Sequence, residues 1–225
     1  MIGDDLSIVT FTLGIALLST LAILPIGLLV AAWLAREGGR GKTLVETVIA
    51  LPLVLPPTAV GLLLLEMLKP KGLIGRVLAA LSIDVVFTWR GVVVASAVMA
   101  FPLLVRSSRS AFEEVDPRLQ QIARTLGCSA GEVFRRVTLP LSWRGILGGT
   151  LLAFARALGE FGATVIVAGY APGGRQTLAL AIFQRTEARQ DGAAFRLVAM
   201  ATVIAFAAVW TTELVTRRRT RRLHA

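Results

Sequence analysis

The chain has 225 residues, of which 55% are hydrophobic and 17% are charged. Soluble domains contain about 45–50% apolar residues, so this composition argues against a soluble single domain. The formal net charge of +10 could indicate a nucleic-acid-binding protein. The basic residues, however, alternate with apolar segments instead of forming one patch, and this distribution argues against nucleic acid as a partner.

Five apolar segments are each long enough to cross about 30 Å of hydrocarbon, and they predict an all-α integral membrane protein with five transmembrane helices. We expect a single transmembrane domain over residues 1–225. The predicted spans are about 7–35, 44–68, 85–112, 145–170 and 197–215. The third span reaches back to residue 85 only if Arg90 extends its side chain to the interface. The first span follows Asp4 and Asp5 rather than a basic segment, which favours a permanent helix over a signal peptide.

Most basic residues lie in the segments that follow spans one, three and five. Cytoplasmic loops of membrane proteins carry an excess of Lys and Arg. This alternation therefore predicts an external N-terminus and a cytoplasmic C-terminus. Anionic lipid at the cytoplasmic face of the bilayer would favour the same orientation.

Span two contains three prolines that remove backbone hydrogen-bond donors: Pro52, Pro56 and Pro57. They predict a kinked or unwound helix, which a membrane tolerates only where the freed carbonyls meet protein or water. We therefore expect this segment, with the adjacent Thr58, to border a pathway. The alternative is that the prolines only shape helix packing.

Span four contains Arg156 and Glu160, whose i, i+4 spacing predicts one helical face. Each charge would cost about 2.5–3.5 kcal/mol if unpaired at the bilayer centre, so the two are expected to pair or to face water. The pair could hold spans together or tune the field along an anion path, and we favour the structural role. The nearby Thr164 and two glycines leave room for close helix approach or a narrow conduit.

The loop 113–144 between spans three and four carries the end signals of two short amphipathic helices. Asp116 and Pro117 suit the first helix start, and Gly127 suits a left-handed residue after its end. Ser129 begins a capping box with Glu132, which starts a second helix that ends at Pro140. The apolar faces could pack on the spans, lie in the lipid interface, or bind another protein.

The outer segment 171–195 includes an apolar stretch at 178–183 that is too short to span a membrane. It predicts a re-entrant or interfacial turn and could help a binding protein to dock.

The loop also resembles the conserved loop of prokaryotic ABC importer permeases, whose pattern is Glu-Ala-Ala, three residues, Gly, nine residues, Ile, any residue, Leu-Pro. The matching positions are Gln121, Ile122, Ala123, Gly127, Val137, Leu139 and Pro140. The chain departs from the pattern at Gln121, Ile122 and Val137, so no role that needs a carboxylate at residue 121 is expected. The resemblance implies the type I ABC importer permease fold. It also implies that this loop sits in a cleft of a separate ATPase subunit.

Longer segments are similar to the molybdate and tungstate branch of that family. They are LPLVLPPTAVG at 51–61, TWRG at 88–91, FPLLVRS at 101–107 and FARALGEFGAT at 154–164. This resemblance implies the pore-forming subunit of an ATP-driven importer in the bacterial inner membrane, with an extracytoplasmic oxyanion-binding protein. A permease for sulfate or another oxyanion is the first alternative, and an ATP-independent channel or secondary transporter is the second.

The chain has no P-loop, so any ATP and Mg²⁺ would be bound by the partner ATPase and no cofactor is expected here. Cys128 and His224 are each the only residue of their type, and they predict neither a disulfide nor a metal site. No catalytic residue is expected, so the chain is not an enzyme by itself. Because five spans do not easily enclose a conduit, we expect two copies to pair as a homodimer.

Overall fold

The computed structural model describes residues 2–36, 38–39, 41–169 and 176–217. The end of the predicted fourth span at residue 170, part of the outer segment and His224 lie outside these residues. The elements, in chain order, are α1 Ile2–Leu34, α2 Lys42–Val54, α3 Pro57–Leu68, α4 Gly75–Ala80, α5 Trp89–Glu113, α6 Pro117–Thr125, α7 Ala130–Val133, a π-helical turn Phe134–Thr138, α8 Leu139–Leu158, α9 Gly162–Ala168, α10 Leu178–Glu187 and α11 Asp191–Arg217.

Four helical stretches in the described part of the chain are long and apolar enough to cross a membrane, and α2 with α3 makes a fifth if this bent pair counts as one span. The four are Gly3–Leu34, Trp89–Glu113, Ala130–Leu158 and Asp191–Leu214. Each overlaps one of the predicted apolar segments, and the bent pair overlaps the second. The all-α prediction is thus confirmed.

The centre of the molecule is built by α1, α5 and α8, which pack closely because small side chains face one another. A Cβ added at Gly145 would lie 2.4 Å from the Cβ of Ala111, and one added at Gly149 would lie 2.6 Å from the Cβ of Ser107. Two glycines of α8 therefore let this helix approach α5 more closely than larger residues would allow. A buried cluster that includes Leu104 fills the remaining space between the three helices.

The third span begins at Trp89 and not at residue 85 as predicted. Thr88 is the N-cap of α5, because its hydroxyl oxygen accepts a hydrogen bond from the Arg90 backbone N–H at 3.2 Å. The backbone before it turns instead toward α9, where the Phe87 N–H donates to the Val167 carbonyl oxygen at 3.0 Å. An N-cap hydroxyl thus sets the start of the helix.

The fourth span also differs from its predicted range of 145–170. Its helix runs from Ala130 through the π-helical turn to Leu158, and a non-helical break then separates it from α9. Pro140 does not end the second loop helix as predicted. The π-helical turn accommodates this proline, because the Leu139 N–H donates to the Phe134 carbonyl oxygen five residues earlier. Loop and span thereby form one continuous rod.

Candidate functional site

Two of the predicted spans are broken. In the second span, α2 ends at Val54 and α3 begins at Pro57, with an angle of 115° between them. Pro57 occupies the first turn of α3, where its missing N–H leaves no carbonyl without a partner. Pro52 lies within α2, so Pro56 and Pro57 mark the bend. The predicted kink is confirmed at these two residues.

The second break, at residues 159–161, contains an ion pair. The Arg156 guanidinium donates from Nη1 to Glu160 Oε2 at 2.7 Å, and Glu160 is only 2% exposed. The other carboxylate oxygen of Glu160 accepts a hydrogen bond from the Ala163 N–H at 2.8 Å, in the first turn of α9. Glu160 therefore connects the end of α8 with the start of α9. The predicted pairing is confirmed, although the two residues do not share one helix.

The two breaks lie against each other. A Cβ added at Gly162 would lie 2.7 Å from the Cβ of Pro57, and one added at Gly61 would lie 2.9 Å from the Cα of Ala163. Both glycines are needed for the close crossing of α3 and α9. The site thus brings the proline bend and the Arg156–Glu160 pair into one region.

The predicted pathway residues have different environments within this single chain. Pro56, Pro57 and Thr58 are exposed, whereas Thr164 is buried and its hydroxyl donates to the Phe161 carbonyl oxygen at 2.8 Å. The exposed group can meet water, lipid or a second protein surface. Thr164 instead supports the backbone of the break.

The loop between α5 and α8 has the predicted helix–turn–helix shape. Asp116 caps α6 by accepting from the Arg118 N–H at 2.8 Å, and Gly127 adopts a left-handed φ of 88°. In the capping box of α7, the Glu132 carboxylate accepts from the Ser129 N–H at 3.0 Å, while the Ser129 hydroxyl accepts from the Glu132 N–H at 3.4 Å. Gly127 therefore forms the turn between two helices that each begin at a capping residue.

The first loop helix directs its apolar face away from the rest of the chain. Leu119, Ile122 and Leu126 are 44%, 56% and 80% exposed. Gln121 and Arg124 lie on the opposite side of the helix and line a cleft of the chain. The alternative that this apolar face packs on the chain's own spans is therefore wrong for these three side chains. Ala123, at the edge of the face, is half-buried.

The second half of the loop is anchored to the membrane domain. Phe134 and Leu139 pack against a buried cluster that includes Leu34 and Phe112. The rings of Phe112 and Phe134 meet edge to face with centroids 5.4 Å apart. Val137 is half-buried and Pro140 is exposed. The loop therefore has a free first helix and a fixed second one, with Gly127 between them.

A buried polar junction, which the sequence alone did not indicate, joins the start of α1, the end of α10 and the start of α11. Asp5 of α1 is 1% exposed, and its carboxylate pairs with Arg185 of α10 at 2.7 Å and with Arg196 of α11 at 3.5 Å. Seven residues further along α1, the Thr12 hydroxyl accepts from the Leu178 N–H at 2.8 Å. The side chains of α1 thus hold α10 near both of its ends.

A second missed contact holds the first half of the broken span. Arg109 of α5 pairs with Glu46 of α2 and with Glu113 of α5, each at 2.6 Å. No residue of α2 is buried, so this ion pair is a main polar attachment of α2 to the helices around it. The signal in the sequence was Glu46, an acidic residue near the start of an apolar span.

Comparison with known proteins agrees with this architecture. Residues 23–221 match the family model described as the binding-protein-dependent transport system inner membrane component. The chain is 40% identical over 222 residues to the molybdenum transport system permease protein ModB of Haemophilus influenzae, covering 97% of this chain and 96% of that protein. It is 43% identical over 212 residues to ModB of Escherichia coli K12, covering 93% and 92%.

Solved structures of other transporters share the fold. A chain of an amino acid ABC transporter crystal structure superposes with a TM-score of 0.64 at 19% identity, covering 95% of this chain and 93% of that chain. A chain of the MetNI methionine ABC transporter, in an inward-facing conformation, gives 0.65 at 18% identity and covers 93% and 94%. The predicted ABC importer permease fold is confirmed. The chain belongs to the family of binding-protein-dependent transport system inner membrane components.

Proposed function

We propose that this chain is the pore-forming permease subunit of an ATP-driven importer that carries molybdate, and also tungstate, across the bacterial cytoplasmic membrane. The observation that carries the proposal is the exposed apolar face of α6 on a hinged loop between two spans. In this proposal the face is the contact surface for another protein. The molybdenum transport named for the relatives from H. influenzae and E. coli supports the choice of cargo.

The partner in this proposal is a separate ATPase subunit that binds ATP and Mg²⁺ and receives α6 in a surface cleft. The continuous helical rod Ala130–Leu158 supplies the mechanical connection. Its cytoplasmic end begins beside the Gly127 hinge, and its other end stops at the break that holds Glu160. A displacement of α6 by the ATPase would reach this break through one rigid element, which couples hydrolysis to alternating access.

A homodimer completes the pathway in this proposal. Pro56, Pro57 and Thr58 are exposed at the bend of span two. A kinked segment of this kind is stable in a membrane where its free carbonyls face protein or water. A second copy would supply a protein surface and would enclose water between the two copies. In this proposal the N-terminus lies outside, as the excess of basic residues after spans one, three and five supports, so an external binding protein would approach the start of α1, the end of α10 and the start of α11.

Cargo identity is tested by uptake of labelled molybdate into proteoliposomes that contain the assembled transporter, its binding protein and internal ATP. Excess unlabelled tungstate should compete fully, whereas the same excess of sulfate should leave most of the uptake. Equal competition by sulfate would contradict the molybdate assignment. It would favour a general oxyanion permease.

A further inference from the structure

A cleft of about 900 Å³ opens beside the loop between α5 and α8. It lies between the end of α1, the following loop, the end of α5 and the inner side of α6. Among the residues that the structure describes, its lining contains four cationic side chains and one carboxylate. They are Arg36, Lys42, Arg109, Arg124 and Glu113. The lining is thus strongly positive.

The four cations differ in how far their charge is already neutralised. Arg109 is paired with Glu46 and Glu113. Lys42 donates from its ammonium group to the carbonyl oxygens of Leu34 and Arg36 at the end of α1. The structure records no ion pair for the side chains of Arg36 and Arg124 within the ranges it describes, and both residues are exposed. The charges of Arg36, after the end of α1, and Arg124, in α6, therefore remain available to a partner.

Gln121 supplies no ion-pair partner for Arg124, which has none among the residues that the structure describes. It lies three residues before Arg124 on the same side of α6 and lines the same cleft. Residues at i and i+3 are neighbours on a helix, so a carboxylate at residue 121 would offset the Arg124 charge. The neutral amide of Gln121 leaves that charge in place.

We infer that this cleft receives a carboxylate-bearing surface element of the ATPase subunit, whose side chains pair with Arg36 and Arg124. The inference rests on the proposed function, because it takes the ATPase as the protein that docks on α6. Two observations select this occupant. Arg124 and the exposed apolar face lie on opposite sides of the same helix, α6, so a protein that surrounds this helix reaches both, and the charges without an ion pair in the described part of the lining are the cations Arg36 and Arg124. At this contact the ATPase is therefore acidic.

The test measures the affinity of the purified ATPase subunit for the permease dimer in phosphatidylcholine nanodiscs, at about 50 mM and about 500 mM salt. Arg36→Gln and Arg124→Gln should each weaken binding by up to about fivefold at the lower salt concentration. Gln121→Glu should weaken it similarly, because the new carboxylate neutralises Arg124. All three differences should shrink at the higher salt concentration.

Two variants serve as matched controls. Arg135→Gln removes a cation from the same loop but outside the cleft lining, and Arg76→Gln removes one from the segment between α3 and α5. Both should bind the ATPase like the unmodified chain. Equal weakening by Arg135→Gln and Arg124→Gln would overturn the cleft as the site, since a diffuse basic surface would then explain the binding.

Two further results would contradict the inference. Tighter binding by Gln121→Glu would show that the ATPase presents a cation at this position. The second result is measured in nanodiscs that contain phosphatidylglycerol. If Arg36→Gln and Arg124→Gln bound less of this anionic lipid but kept the ATPase affinity of the unmodified chain, the cleft would be a lipid site. Failure of the unmodified permease to bind the ATPase would instead contradict the proposed function itself.

Discussion

Glu160 lies 2.7 Å from Arg156 although the helix that carries Arg156 ends at Leu158. The ion pair therefore spans the break between α8 and α9, and it is reinforced by the Ala163 N–H. The two partners differ in environment, because the Glu160 side chain is 1% exposed and that of Arg156 is 26% exposed. Removing one partner should consequently have a different effect from removing the other.

Arg156→Gln should destabilise the protein more than Glu160→Gln. The first variant leaves a buried carboxylate without a cation, which costs about 3 kcal/mol, whereas the second leaves an arginine that can reach water. The double variant should be more stable than Arg156→Gln alone, because no unpaired charge remains. Thermal unfolding in one detergent measures all three. An Arg156→Gln protein as stable as the unmodified chain would show that the pair has no structural role.

The close crossing of α3 and α9 predicts that Gly61→Ala disrupts the site. The new methyl group would lie 2.9 Å from the Ala163 Cα and 3.0 Å from its carbonyl oxygen, so the backbone must shift. We expect a loss of about 1–3 kcal/mol in stability and reduced uptake. Gly14→Ala in α1 is the matched control, since no atom lies within 4 Å of its added Cβ. Its stability should be unchanged or slightly raised.

The hinge of the loop is tested by Gly127→Val. Gly127 has a φ of 88°, which a β-branched residue adopts only with strain, so the angle between α6 and α7 should change. Co-purification of the ATPase and ATP-driven uptake should both fall at least about tenfold, equivalent to about 1.4 kcal/mol.

Gly131→Val is the control for this variant. It lies in α7 without a positive φ, and no atom lies within 4 Å of its added Cβ. If both valine variants retained the ATPase and the uptake rate of the unmodified chain, the Gly127 hinge would have no part in coupling.

The polar contacts of Asp5 and Thr12 with α10 predict a local change in this helix. Thr12→Val removes the acceptor for the buried Leu178 N–H while keeping the shape of the side chain, and Asp5→Asn removes the charge that faces Arg185. Hydrogen exchange of α10 amides should accelerate about tenfold or more in either variant, and exchange in the middle of α5 should not. The exposed Asp84→Asn serves as the control. Unchanged α10 exchange in both variants would mean that these contacts do not hold this helix.

Much of this architecture could be predicted from the sequence because hydrophobic length and capping residues are local signals. The bend at Pro56 and Pro57, the hinge at Gly127 and the Ser129 capping box follow from the conformational restrictions of the residues themselves. The loop's two helices appeared where those signals placed them.

Other features could not be predicted because they depend on contacts between distant residues or on subtle backbone geometry. The break after Leu158 lies inside a continuous apolar segment, so hydropathy gives no sign of it. Pro140 predicts a helix end, yet the π-helical turn before it lets the helix continue. Asp5 pairs with Arg185, which is 180 positions away in the sequence, and no periodicity connects them.

The most direct test of ATP-driven molybdate import is uptake of molybdate into proteoliposomes that contain the permease, its ATPase and the external binding protein. We predict uptake only when ATP is enclosed and the binding protein is present. The Gly127→Val variant should lose this uptake, whereas Gly131→Val should keep it. Equal molybdate flux without ATP would contradict ATP-driven import, because the chain would then conduct its substrate without the ATPase that α6 is proposed to bind.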